Sequence, residues 1–132
     1  MDDNRVTIEH VLNSKSPSII WTLLSTPEGL AKWIADEVKA VNGQLMFVWG
    51  NMAGNHEIRM ADVIGQKKYE YIRFRWSEER FRDSYWELRI EKSELTDDYN
   101  LLITDFVVDY DKETMMDIWE ANLESLHRST GL

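Results

Sequence analysis

Few residues in this sequence stand where they could do chemistry. A hydrolytic or metal site needs bases, nucleophiles or ligands that converge. The three histidines, His10, His56 and His127, are far apart along the chain and follow no recognisable ligand spacing. His10 falls within an alternating apolar stretch, where a neutral imidazole with hydrogen-bonded nitrogens is a commoner occupant than a catalyst. Asp36-Glu37 and Asp97-Asp98 are adjacent carboxylates in turn-like sequence, so their side chains diverge and read as solvated charge. Gly50-Asn51-Met52-Ala53-Gly54 lacks both the lysine and the following helix that a phosphate cradle requires. No catalytic residue, metal ligand or cofactor is assigned, and the expectation is a protein that is not an enzyme.

Asp105 and Asn122 remain. Asp105 continues the alternation of Leu101, Ile103 and Val107, while Asn122 falls within an apolar helical stripe, so both are expected at one sheet–helix interface. They either bond each other, a backbone group or a trapped water, or they form a polar handle that orients a ligand's carbonyl, hydroxyl or amine. Structural satisfaction is the commoner fate of a single buried amide, so Asn122→Leu is expected to cost stability by stranding its partner. Trp49, Trp76, Trp86 and Trp119 have a similar pair of roles, as core packing or as a pocket lining. A domain this short has little room for a large cavity, and any cavity is expected to be small.

The elements that must position these residues are legible from periodicity. Met115, Trp119, Leu123 and Leu126 share one face of a predicted helix spanning Asp111 to Gly131, flanked by Met116 and Ile118, with Asp117, Glu120, Glu124 and Arg128 opposite. Asp111 suits the N-cap and Glu113 the positive end of the dipole; His127, Arg128 and Gly131 suit the other end. Arg5 to Leu12 alternates as a half-buried strand with Val6, Ile8, His10 and Leu12 on one face. Ser16-Pro17 and Thr26-Pro27 each pair an N-cap with proline at the first helical position, predicting two short helices. The first carries Ile19, Ile20, Leu23 and Leu24 on its buried face; the second carries Leu30, Trp33 and Ile34.

From Glu37 to about Tyr110 the period is that of strands. Glu37 to Val41 and Gln44 to Trp49 flank the hairpin signal Asn42-Gly43. His56 to Ile64 is a strand whose inward parity stays open between Ile58/Met60 and Ala61/Val63; a bulge between Met60 and Ala61 would reconcile them. Tyr69 to Trp76 points Ile72, Phe74 and Trp76 inward, Ser84 to Lys92 presents Trp86, Leu88 and Ile90, and Leu101 to Val108 closes the run. Short connections imply antiparallel pairing. The layout is α+β: a strand, two short helices, about six strands, then one long helix packed on an antiparallel sheet.

The chain's 132 residues fit one domain, residues 1–132, large enough to bury roughly two-thirds of its unfolded surface. Twenty-four acidic against 15 basic residues give a net charge of −9, which repels nucleic acid. The only basic cluster, Lys67, Lys68, Arg73 and Arg75, is interleaved with Glu70 and reads as solvated strand faces. With no cysteine, no bilayer-length apolar run and no charged-then-apolar leader, the expected location is the cytoplasm, with no stable membrane insertion.

Leu24-Ser25-Thr26-Pro27-Glu28-Gly29-Leu30, followed by Trp33-Ile34-Ala35-Asp36, resembles the opening signature of bacterial START-like domains related to the Hsp90-activator family, within the wider START and Bet v 1-like group. Ile72-Arg73-Phe74-Arg75-Trp76, Ile103-Thr104-Asp105-Phe106, and Trp119-Glu120-Ala121-Asn122-Leu123 with Leu126 resemble that family's later strands and C-terminal helix. The resemblance threads nearly the whole chain. It implies a helix-grip fold, in which a curved antiparallel sheet wraps a long C-terminal helix and members commonly hold hydrophobic small molecules between the two. It implies no shared ligand or activity, since the scaffold serves lipid carriers, cyclases and chaperone regulators.

The expected function is noncatalytic binding of a small hydrophobic or lipid-like ligand in the cleft beneath the C-terminal helix. Its candidate contacts are Trp49, Phe74, Trp76, Trp86, Leu88, Ile103, Asp105, Met115, Trp119, Asn122 and Leu126. The alternative is a protein-interaction or chaperone-regulator module with a filled core. The partner is thus a small hydrophobic molecule or another protein.

Overall fold

A computed structural model describes residues 4–51 and 53–132 of the chain. Met52, in the glycine-bearing loop, lies outside the described residues. The elements in order are β1 (Arg5–Leu12), α1 (Pro17–Ser25), α2 (Pro27–Leu30), β2 (Glu37–Val41), β3 (Gln44–Gly50) and β4 (His56–Lys67), then β5 (Tyr71–Trp76), a 3-10 turn (Glu79–Phe81), β6 (Trp86–Lys92), β7 (Tyr99–Phe106) and α3 (Lys112–Thr130).

Both proline-led caps form. The Ser16 hydroxyl accepts the Ile19 amide at 3.2 Å, and the Thr26 hydroxyl accepts the Gly29 amide at 3.0 Å. Gly29 is required at the α1–α2 junction because a Cβ there would run into the Thr22 carbonyl and the Leu23 backbone. The Trp33 indole N–H donates to the Leu23 carbonyl at 3.0 Å and ties the two helices together. Ile19 departs from expectation: it is 57% exposed, and Trp21 is buried instead. Ile20, Leu23 and Leu24 form an i, i+3, i+4 face that Trp21 extends through its own i+3 neighbour, which turns Ile19 toward solvent.

The strands make one seven-stranded sheet in the order β1-β7-β6-β5-β4-β3-β2, with every neighbouring pair antiparallel. Asn42 and Gly43 both take positive φ, 51° and 83°, the pair that the tight β2–β3 hairpin demands. β4 runs three residues beyond its predicted end, and its bulge lies between Val63 and Gly65 rather than between Met60 and Ala61. The parity of Ala61 therefore faces inward along the unbroken part of the strand, opposite Leu45 and Phe47 of β3, and it carries Arg59 and Glu57 with it. Ile58, of the other parity, is 41% exposed; Val63 shares the parity of Ala61 but, beside the bulge, is 39% exposed. β5 starts two residues later than predicted, because Tyr69 occupies the β4–β5 turn at φ 69°. β6 likewise starts at Trp86, and β7 is displaced toward the N-terminus, leaving Val107 and Val108 beyond its end.

α3 matches its predicted span, with Asp111 Oδ1 accepting the Thr114 amide at 2.8 Å and Gly131 closing the helix at φ 79°. Met115, Trp119, Leu123 and Leu126 are its buried face. They close a core that includes Phe47, Phe74, Leu88, Leu101 and Ile103, all at 0% exposure. Burying this much aromatic and branched aliphatic surface is the main stabilising contribution, at about 1.5–3 kcal/mol per large side chain. The result is a helix-grip architecture, α+β, with the sheet on one side of the long helix. His10 is half-buried on β1, its Nε2 3.2 Å from the Leu132 carbonyl.

Candidate functional site

Three strands and the long helix each place one tryptophan at the same end of the core. Trp49 is the penultimate residue of β3, Trp76 ends β5, Trp86 opens β6 and Trp119 stands near the middle of α3. Ring centroids are 6.0 Å apart for Trp49–Trp76, 5.3 Å for Trp76–Trp86 and 5.9 Å for Trp86–Trp119. Trp49 donates its indole N–H to the Ile34 carbonyl at 3.0 Å and Trp119 donates to Asp105 Oδ2 at 2.9 Å, so both rings are fixed in orientation. The Trp86 indole N–H is enclosed by its neighbours and has no partner among the described residues.

These rings do not close on one another. They line a cavity of about 330 Å³ between sheet and helix, completed by Met115, Ile118 and Asn122 on the helix side, by buried Phe81, and by Val108 and Tyr110 at the rim. That volume lies at the small end of the range for small-molecule sites. Ile118, Val108 and Tyr110 are themselves exposed, so the cavity opens to solvent along α3.

Asp105 is a carboxylate in this mainly apolar lining. Its Oδ1 accepts the Phe106 amide at 2.7 Å and its Oδ2 accepts Trp119, leaving each oxygen a free lone pair. Burial pushes its pKa up to about 6, against the opposing pull of the two N–H donors and of the Arg59 charge. Asn122 does not bond Asp105. Its amide has no hydrogen-bond partner among the described residues and faces both this cavity and a shallower neighbour lined by Lys32, Ala35 and Ser125.

Arg59 escaped the sequence reasoning. Its guanidinium carbon lies 4.2 Å from the Trp76 ring centroid and 4.7 Å from that of Phe81, a cation sandwiched by two aromatic faces. Its Nε donates to Glu78 Oε1 at 3.1 Å, while Arg59 Nη2 and Glu78 Oε2 are buried without partners among the described residues. The missed signal was the parity of β4: once Ala61 is taken as inward, Arg59 and Glu57 must follow. At the rim Asp109 pairs with Arg80 at 3.0 Å.

Of the candidate ligand contacts, Trp49, Trp76, Trp86, Asp105, Met115, Trp119 and Asn122 line the cavity. Phe74, Leu88, Ile103 and Leu126 do not. They are 0–1% exposed and filled against the core, Phe74 stacked at 4.0 Å beneath Trp86, because they sit further along their elements than the open end. On the opposite face of the sheet, burial raises the Glu87 pKa, but the hydrogen bonds and charges of Arg73 and Arg89 outweigh it and hold the carboxyl below its usual value. Of the basic cluster, Arg73 is thus neutralised, Arg75 donates to the Ser84 carbonyl at 2.9 Å, and Lys67 pairs with Glu70 at 2.8 Å. Among the described residues no three His, Cys, Asp or Glu side chains gather where a metal could bind, and no helix is long and apolar enough to cross a membrane.

The START-like superfamily domain model matches residues 1–132. The chain belongs to the START-like superfamily. A Bacteroides fragilis protein solved by solution NMR is 35% identical to this START-like chain, over 97% of it and 91% of the other, with a TM-score of 0.62. A Nitrosomonas europaea crystal structure is 9% identical, covering 96% and 93% at a TM-score of 0.74. The Aha1 dimer from Colwellia psychrerythraea is 19% identical, covering 96% and 98% at a TM-score of 0.66. The last two show the fold alone. No curated protein matches this START-like domain.

Proposed function

We propose that this START-like domain is a noncatalytic binding protein whose single unit, residues 1–132, takes a small hydrophobic or lipid-like molecule into the cleft between the sheet and α3. The observation that carries this is the unfilled cavity of about 330 Å³, walled by four tryptophans and opening along the helix. Well-packed interiors leave few voids larger than a water molecule, so a space of this size between otherwise close-packed layers is a feature of the site rather than of the core. Placing apolar ligand surface there contributes roughly 25 cal/mol for each Å² removed from water.

The competing role, a protein-interaction module of Aha1 type, called for a filled cleft and an outer apolar patch. The open cleft favours the small-molecule role. The test is titration with Nile red, a neutral environment-sensitive dye, alongside native mass spectrometry of the purified chain. Saturable dye emission that a second hydrophobe displaces, weakened at least tenfold in Ile118→Trp at the cavity mouth, is the expected outcome. An unsaturable signal unaffected by that substitution, with only the bare chain in the mass spectrum, would sink the proposal.

A further inference from the structure

We propose that the ligand of this cavity carries a protonated amine, which donates to Asp105 while its hydrophobic body lies among the tryptophan rings. This deepens the small-molecule role and rests on it. The charged groups facing Asp105 come from three places. β4 brings Glu57 and Arg59, the N-cap of the 3-10 turn brings Glu78 onto Arg59, and the chain after β7 brings Asp109, whereas α3 contributes only Met115, Ile118, Trp119 and Asn122 to the lining. Arg59 pairs with Glu78 through Nε alone, at 3.1 Å, and is stacked between two rings with its Nη2 unpartnered among the described residues, while Asp109 pairs with Arg80 at 3.0 Å. Exposed Glu57 and the more buried Asp105 are left with no cationic partner within ion-pair distance among the described residues.

A buried carboxylate is retained at a cost unless it meets a positive charge. Here two N–H donors steady Asp105 but bring no net charge, and each oxygen keeps a lone pair. Four indoles line the same space, and a ring face attracts a cation, as that of Trp76 already does the Arg59 guanidinium. An ammonium group entering the cavity meets both kinds of partner, and the uncompensated charge at the mouth attracts it from solution. A carboxylate or phosphate ligand meets two unpaired anions, and against them only the Arg59 guanidinium, whose charge Glu78 balances although its Nη2 keeps a free donor.

The test compares three molecules sharing one ring system, 2-(1-naphthyl)ethylamine, 2-(1-naphthyl)ethanol and 1-naphthylacetic acid, by isothermal titration at low ionic strength near neutral pH. The amine is expected to bind at least tenfold more tightly than the alcohol, and the acid most weakly. The amine-to-alcohol ratio should fall several-fold as the buffer is taken to about pH 5, where Asp105 takes up a proton, and should fall again in Asp105→Asn. Should that variant fold poorly, Glu57→Gln at the exposed mouth provides a second measure, with a roughly twofold drop in the ratio. Equal binding of amine and alcohol, or a ratio indifferent to pH, Asp105→Asn and Glu57→Gln, overturns the amine assignment while leaving the cavity as a hydrophobic site. Failure of all three molecules and of Nile red to bind overturns both.

Discussion

The buried carboxylate makes a quantitative demand on how stability varies with pH. Asp105 carries a folded-state pKa of about 6 against 3.8 for the free side chain. Below the lower value both states are protonated and the group leaves stability untouched. As pH rises, the unfolded chain releases this proton first, so between roughly 3.8 and 6 the folded state holds a proton that the unfolded state lacks. Stability therefore falls with rising pH across that window and levels off above it. With each pKa unit equivalent to about 1.4 kcal/mol, ionised Asp105 disfavours the fold by about 3 kcal/mol at pH 8, most of which appears between about pH 4 and pH 8.

Asp105→Asn isolates the effect. The amide cannot ionise, though it can accept only one of the two N–H groups that Asp105 now holds, so the variant carries a fixed penalty of about 1 to 3 kcal/mol. That offset does not vary with pH. Other titrating groups, Glu87 among them, cancel when the two proteins are compared at each pH. Urea denaturation of both proteins at steps from about pH 4 to 8 should show the variant gaining about 2 to 3 kcal/mol relative to wild type as pH rises, with the change centred between 4 and 6. A difference that stays flat within about 0.5 kcal/mol, or that moves against the variant, would refute the account of Asp105 as a charge held without a counterion.

Two further substitutions probe the cavity wall. Trp119→Ala should cost about 3 to 5 kcal/mol in chemical denaturation, since it enlarges the cavity and removes a donor from Asp105; a loss under about 1 kcal/mol would place Trp119 outside the core. Asn122→Leu should leave the denaturation midpoint unchanged or raised while weakening retention of polar-headed ligands, because no described residue is orphaned when the amide goes. This reverses the stability loss expected from the sequence, and a destabilisation above about 1 kcal/mol would show that the amide has a structural partner after all.

The sequence by itself determined what depends on neighbours in the chain. Helix caps at Ser16, Thr26 and Asp111, the Asn42-Gly43 turn and the apolar stripe Met115, Trp119, Leu123, Leu126 are set by residues within about one turn of each other, and each is present as expected. The resemblance to START-like domains, carried by the Thr26-Pro27 segment and the later strands, matched the fold because those stretches record the order of elements. Tertiary structure decided which of two equally apolar parities of β4 faces inward, since a strand's two sides differ only in what lies against them. That choice brought Arg59 between Trp76 and Phe81, a residue whose type alone reads as solvent-facing. It also separated Phe74 and Leu88 from Trp76 and Trp86: all four are inward-pointing on adjoining strands, and only distance along the strand decides which ones meet the cavity and which ones fill the core. Asp105 and Asn122 were correctly aimed at one interface, yet Asp105 took Trp119 as its partner and Asn122 took none among the described residues, because hydrogen-bond reach is settled within a few tenths of an ångström and periodicity fixes only the face.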